Sequence, residues 1–257
     1  MSKLNNKVAV ITGGNSGIGY GIAEAFKNEG AVVGAIAGRN EATLDSAVET
    51  LGGNFIGVKG DVTNLDDLER LFSTTAEKYG KIDALVVNAG GVVDGVPLMA
   101  ITDVTEEGYD RYMELNLKSA YFTVQRSLPY LNDGASIILI ASNNAHRAAP
   151  GTTIYAAAKA AVISLARGLS LDLLLRRIRV NTISPGSIDT PVIGKMVPQE
   201  MVDQVRQMFV GLTPLGRQGT PAEIGKTAVF LASDDSTFIV GTDILVDGGM
   251  ANAFSVK

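Results

Sequence analysis

Seven short apolar runs with helical patterning between them constrain this 257-residue chain more than any other feature. They are VAVI (8–11), AVVGAIA (31–37), NFIGVKG (54–60), DALVV (83–87), SIILIA (136–141), IRVNTIS (178–184) and DILVDGG (243–249). Most are apolar throughout rather than alternating, the pattern of strands covered on both faces. After the first run, Ile18, Ile22 and Phe26 recur every four residues, and Gly30 follows as a stop signal. Strand and helix in alternation predict an α/β fold with a mainly parallel sheet. Seven strands in this length leave little room for a second domain, so residues 1–257 are read as one.

Composition removes several kinds of chemistry. With no cysteine, there is no disulfide scaffold, Cys-based zinc site, iron–sulfur cluster or thiol nucleophile. His146 is the single histidine, so a His-rich metal site is excluded and a Ser-His-Asp triad would have to use it. No G-x-S-x-G elbow precedes it, which disfavours a hydrolase. No metal ligand is predicted. The net charge of −5 argues against nucleic acid as partner. No apolar run approaches the ~18 residues of a membrane span. The apolar stretch Val8–Ile11 near the start is too short for a signal-peptide core. The expected setting is therefore cytoplasmic, with no membrane partner.

TGGNSGIG (12–19) follows the first apolar run and opens the first helical pattern. Gly13, Gly14, Gly17 and Gly19 let backbone turn tightly and approach a pyrophosphate with no Cβ in the way. Asn15, Ser16 and Ile18 lie between them, and the N–H groups of the helix start face the anion. The spacing G-x-x-x-G-x-G is a variant of the usual dinucleotide fingerprint, and the bland alternative is an ordinary glycine-rich connection. NAD-binding folds usually place a carboxylate ~20 positions on to bond the ribose 2′-OH. Here that region reads Ala37, Gly38, Arg39. A guanidinium suits a 2′-phosphate, so NADP(H) is favoured and NAD(H) is the alternative. Asp61 and Val62 follow the third run, where a carboxylate can bond adenine or cap the next helix.

Tyr155 and Lys159 stand four apart in an alanine-rich helical stretch and share one face. A phenol titrates near 10, and a neighbouring ammonium favours its ionised form. Such a pair can protonate a carbonyl oxygen or deprotonate an alcohol while a nicotinamide exchanges hydride. Ser142 lies 13 residues before Tyr155, and Asn116 lies 26 before Ser142.

At this point the sequence closely resembles the short-chain dehydrogenase/reductase family, in the compact branch with 3-oxoacyl-carrier-protein and carbonyl reductases. The resemblance runs from Lys7 to about Met250. It rests on TGGNSGIG (12–19), DV (61–62), NAG (88–90), Asn116, Ser142, YAAAK (155–159), Asn181, PG (185–186) and Thr190. It implies a Rossmann-type, doubly wound, seven-stranded sheet flanked by helices on both faces, and usually a homotetramer. It further implies Tyr155 as general acid/base, with Lys159 lowering its pKa and holding the nicotinamide ribose. Ser142 would orient the substrate oxygen, and Asn116 would hold a water in a relay through Lys159. Asn88, Ala89 and Gly90 would lie against the cofactor, and Pro185, Gly186, Ile188 and Thr190 would contact its nicotinamide side. Val87 replaces the family's frequent first Asn of NNAG, and the second run is one residue longer than the common form.

Residues 190–215 contain Met196, Met201, Met208 and Phe209; the resemblance implies a substrate lid, and the alternative is core or subunit packing. His146 and Arg147 follow Ser142 closely enough to read a polar substrate group, or else are solvated. The small residues of the Tyr155 helix suit packing between subunits, or within one. The chain is thus expected to be an oxidoreductase moving hydride between NADP(H) and a small carbonyl or alcohol. The alternatives are an NAD-dependent alcohol, sugar or polyol dehydrogenase and a non-catalytic dinucleotide sensor.

Overall fold

The computed structural model describes residues 2–31, 33–53 and 55–253. Val32 and Asn54, inside two of the apolar runs, lie outside the described residues, as do Met1 and residues 254–257. The strands are β1 (Val8–Thr12), β2 (Val33–Gly38), β3 (Ile56–Lys59), β4 (Ile82–Val87), β5 (Leu131–Ile140), β6 (Arg179–Pro185) and β7 (Asp243–Val246). The helices are α1 (Gly17–Asn28), α2 (Glu41–Leu51), α3 (Leu65–Tyr79), α4 (Glu106–Met113), α5 (Ser119–Ser127), α6 (Thr153–Asp172), α7 (Ile193–Met196), α8 (Val202–Leu212) and α9 (Pro221–Ala232). All seven strands form one sheet in the order β3-β2-β1-β4-β5-β6-β7. Each of the six pairings is parallel, so the sheet is wholly rather than mainly parallel.

Alternate residues of the central strands feed two separate cores. Val10, Leu85, Ile137 and Val180 pack with Phe72 of α3, Val124 of α5 and Val162 of α6. Ile11, Val86, Ile138 and Ile183 pack with Phe26 of α1, Leu44 of α2 and Ile224 of α9. Apolar residues at consecutive strand positions are therefore used, one set per face. β5 begins five residues before the SIILIA run: Leu131 pairs with Ile82, and a register shift before the Ala84–Ser136 pair absorbs Asn132–Ala135. Within that stretch Gly134 has φ of +80°, the left-handed region that lets the chain bulge away from the pairing.

The strand order reverses direction between β1 and β4. Ligands of doubly wound sheets bind at such a switch point, outside the carboxyl ends of the strands. The ends of β1, β4, β5 and β6 accordingly carry Gly13–Gly19, Asn88–Gly90, Ser142 and Pro185–Thr190. α6 is apolar and long enough to cross a membrane by composition, yet it buries Val162, Ile163 and Ala166 against the sheet.

Candidate active site

The turn after β1 is bare backbone. Gly13 and Gly17 have φ of +64° and +53°, the left-handed region that glycine enters without strain. A Cβ on Gly19 would stand 2.2 Å from the Gly13 carbonyl oxygen. Ser16, the exposed N-cap of α1, makes no side-chain capping bond, and the first turn of α1 holds no acid. By contrast, Asn40, Asn64 and Thr105 cap α2, α3 and α4, each with an acid in the first turn. The first turn of α1 alone in that set leaves its donors and positive dipole end for an anion.

Asn88 braces this turn. Its side-chain amide donates to the Thr12 and Gly13 carbonyls at 3.0 and 3.2 Å. The backbone N–H groups of Asn88 and Ala89 both donate to Thr12 Oγ1. The Asn88 side chain is thus spent on positioning the glycine loop. Asn15 donates to Thr43 Oγ1 at 2.7 Å and packs over Gly38, where any Cβ would collide with it. Ile18 faces the core; only its backbone is available to the crevice.

At the ends of β2 and β3, Arg39 meets two carboxylates. Its guanidinium lies 2.9 Å from Asp94 Oδ2 and 4.0 Å from Asp61 Oδ2. Asp61 Oδ1 accepts from the backbone N–H and hydroxyl of Thr63. Asp61 therefore closes a local turn, and the helix cap that the sequence offered to it belongs to Asn64, two of whose bonds run to Asp66 and Asp67. Val62 is core. Asp94 is a site neighbour that sequence spacing did not signal.

Tyr155, Ser142, Lys159 and Asn116 converge. Ser142 follows β5, and Tyr155 and Lys159 project from the first two turns of α6. The Ser142 and Tyr155 hydroxyls are hydrogen-bonded to each other. Lys159, 4% exposed, donates to the Ile140 carbonyl at 2.9 Å and lies 5.8 Å from the centre of the Tyr155 ring. Asn116, in a π-helical turn at Glu114–Lys118, accepts from Gly91 N–H at 2.7 Å and donates to the Gly91 and Tyr112 carbonyls. A π-turn between two α-helices is a frequent mark of a functional position. Asn116 Oδ1 and Lys159 Nζ flank Gly90, at 3.1 and 3.2 Å from where its Cβ would stand.

Burial pushes Lys159 down to about 8. Tyr155 is half-buried as a residue, but desolvation is the largest influence on its hydroxyl and raises its pKa above the ordinary 10, the Ser142 hydrogen bond opposing. This is opposite to the lowering expected from Lys159. The cause is burial, which outweighs every other influence on the hydroxyl, while Lys159 donates to the Ile140 carbonyl.

Beyond β6, Gly186 N–H bonds the Val246 carbonyl, and a Gly186 Cβ would strike Asp247 at 2.6 Å. Ile188 is buried in the core. Thr190 lies 3.4 Å from the place of a Gly17 Cβ, so it faces the glycine loop across the crevice. Residues 190–215 form α7, α8 and a short 3₁₀ turn, with Met201 and Met208 exposed and Met196 and Phe209 half-buried. Val96, Leu98, Met99 and Ile154 line a narrow, mostly apolar cleft beside Tyr155. His146, exposed as a residue, pairs with Asp243, and the half-buried Arg147 donates to the Met250 carbonyl. Among the described residues no cluster of three metal-ligating side chains occurs.

The family model described as enoyl-(acyl carrier protein) reductase matches residues 13–251. The chain belongs to the short-chain dehydrogenase/reductase family. Oxidoreductase asL5 of Sarocladium schorii is 40% identical over 98% of each chain. The 3-oxoacyl-[acyl-carrier-protein] reductase of Thermotoga maritima is 35% identical over 96% of this chain and 99% of its own. A solved short-chain dehydrogenase/reductase of the glucose/ribitol dehydrogenase type from Brucella melitensis superposes with a TM-score of 0.89. It shares 32% identity, with 98% of this chain and 99% of that one covered. As a member of this family the protein is an NAD(P)-dependent oxidoreductase. The bare glycine loop and uncapped α1 described above fit a dinucleotide.

Proposed function

We propose that the protein reduces a carbonyl with NADPH, using Tyr155 as the general acid within a single domain. The observation that carries this reading is Tyr155, which lines the apolar cleft while its hydroxyl is hydrogen-bonded to Ser142 and its ring lies beside Lys159. The Tyr155 phenol is protonated at neutral pH and can donate to a carbonyl oxygen. Ser142 orients the substrate oxygen towards Tyr155. Lys159 hands on protons and holds the nicotinamide ribose, and Asn116 supports it across Gly90. The nicotinamide, when bound, supplies the hydride. Gly13, Ser16, Gly17 and Gly19, with the backbone at Asn15 and Ile18, hold the pyrophosphate. Asp61 and Val62 border the adenine, Asn88–Gly90 back the cofactor, and Pro185, Gly186, Ile188 and Thr190 flank the nicotinamide. Residues 190–215 are the lid.

Arg39 supports NADPH, because it ends β2 where an NAD-preferring chain carries an acid. A second reading, an NAD-dependent alcohol or polyol dehydrogenase, is favoured by the Asp94 and Asp61 carboxylates already beside Arg39. Titration of nicotinamide fluorescence separates them. NADPH tighter than NADH by tenfold, about 1.4 kcal/mol, with the preference lost in Arg39→Ala, is expected. Preference for NADH overturns the NADPH reading. The name of the Thermotoga maritima relative makes a 3-oxo ester the first substrate class to try. Tyr155→Phe should lower its turnover at least 100-fold with cofactor affinity kept, since general acid catalysis contributes about 10²–10⁴-fold. Unchanged turnover overturns the assignment. The cytoplasmic setting and a homotetramer complete the proposal. The latter is supported by the exposed small-residue stripe Ala157, Ala160, Ser164 and Gly168 on α6.

A further inference from the structure

Ser142 is held by the turn that follows it. Its Oγ accepts the Asn144 N–H at 3.1 Å. The Ala145 N–H bonds the Ser142 carbonyl, and the His146 N–H bonds the Asn143 carbonyl. This single 3₁₀ turn, Asn143–Ala145, ends at His146. One turn of 3₁₀ helix has too few bonds to keep its own shape.

What pins it is a buried carboxylate on another strand. His146 Nε2 lies 2.7 Å from Asp243 Oδ2, and the Asp243 side chain is 7% exposed. Asp243 opens β7 opposite Thr182 of β6. Its other oxygen, Oδ1, accepts from Thr182 Oγ1 at 2.5 Å and Ser184 Oγ at 2.8 Å. A buried carboxylate needs donors at both oxygens. His146 supplies the bond to Oδ2. Because a carboxylate only accepts, this pairing assigns the ring hydrogen to Nε2. The remaining side-chain ties of the turn are weaker: Arg147 to the Met250 carbonyl at 3.3 Å and Asn143 to Met250 Sδ at 3.7 Å.

We propose that His146, through Asp243, is a positioning residue that anchors the Ser142 turn to β6 and β7 and so aims the Ser142 hydroxyl at Tyr155. Its effect on turnover rests on the role of Ser142 proposed above; the anchoring does not. The full-length protein tests both. Hydrogen exchange is followed by mass spectrometry on peptides spanning residues 142–147 in wild type, His146→Ala and His146→Gln, with melting temperatures alongside. Exchange at least tenfold faster in His146→Ala is expected, with protection regained in His146→Gln, whose amide can still donate to Oδ2. Unchanged exchange in His146→Ala overturns the anchor. Failure of His146→Gln to regain protection at an unaltered melting temperature overturns the donor role.

Turnover of ethyl 3-oxobutanoate, with the reduced cofactor chosen by titration, reads the consequence. A roughly tenfold lower kcat is expected in His146→Ala with cofactor affinity unchanged, and no further loss when the same change is made in Ser142→Ala. An equal loss in both backgrounds overturns action through Ser142. If Ser142→Ala itself turns over like wild type, the proposed role of Ser142 falls while the exchange result stands.

Discussion

Lys159 carries an amine to a place where 4% of the residue meets solvent and no carboxylate among the described residues offsets its burial. The displacement from 10.5 to about 8 is worth on the order of 3 kcal/mol against the folded state below pH 8. The native state gives up its proton first, so this cost shrinks as pH rises from about 8 to about 10.5. Lys159→Met keeps the length and removes the charge, at the loss of one bond to the Ile140 carbonyl, about 1 kcal/mol. The variant should be more stable than wild type by about 2 kcal/mol at pH 7 and lose that margin by pH 10. Chemical unfolding at the two pH values checks this, and turnover should be abolished. A gain at neutral pH would mark Lys159 as a residue kept for chemistry rather than for the fold.

Helices α1 and α9 lie against each other through glycine. A Cβ at Gly225 would stand 2.6 Å from the Gly21 carbonyl oxygen and 2.7 Å from Ala25 Cβ, and one at Gly21 would meet Pro221 at 2.4 Å. Backbone and proline cannot yield as a flexible side chain can. Gly225→Ala should therefore cost about 1–3 kcal/mol by overpacking, read from urea unfolding, although alanine is the better helix former. The start of α9 is set by a capping box. Thr220 and Glu223 bond each other's backbone N–H groups, and Arg217 pairs with Glu223 at 2.7 Å. The Arg217 guanidinium, followed by the Thr220 backbone bond, holds Glu223 down to about 2. Its contribution is present above the unfolded value near 4.5 and is lost as pH falls towards 2. The side chain is 38% exposed, so solvent screening reduces the effect to about 1 kcal/mol. Glu223→Gln should be less stable than wild type by that amount at pH 7, with the difference disappearing only as pH falls to about 2 and below.

At the scale of the whole molecule, the exposed surface of α6 is unlike that of a solvated helix. Ala157, Ala160, Ser164 and Gly168 form a stripe of small residues at helical spacing, and Leu171 continues it at 73% exposure. No atom stands within 4 Å of where a Gly168 Cβ would be, so packing within the subunit does not call for glycine there. Phe238, before β7, is also fully exposed. Small side chains let helices approach closely, and a second copy of the chain would supply the same stripe. Sedimentation should give a multiple of the 26.9 kDa chain mass. Ala160→Arg should reduce it, with NADPH binding retained.

The sequence alone determined the fold class, the order of its elements, and the family. Apolar runs at consecutive positions already imply two covered faces, and Tyr155 and Lys159 share a helix face through local geometry alone. Val87 was legible as strand for the same reason, and it is buried at the end of β4. Tertiary structure decided how the charges and hydrogen bonds were shared out. Asp94, 55 residues from Arg39, meets its guanidinium. Asp243, 97 residues from His146, meets its imidazole. Burial from several elements sets the Lys159 and Tyr155 pKa directions. Backbone periodicity is a local property that a sequence displays. Ion pairing and desolvation depend on distances through space, which exist only once the sheet has brought the strand ends together.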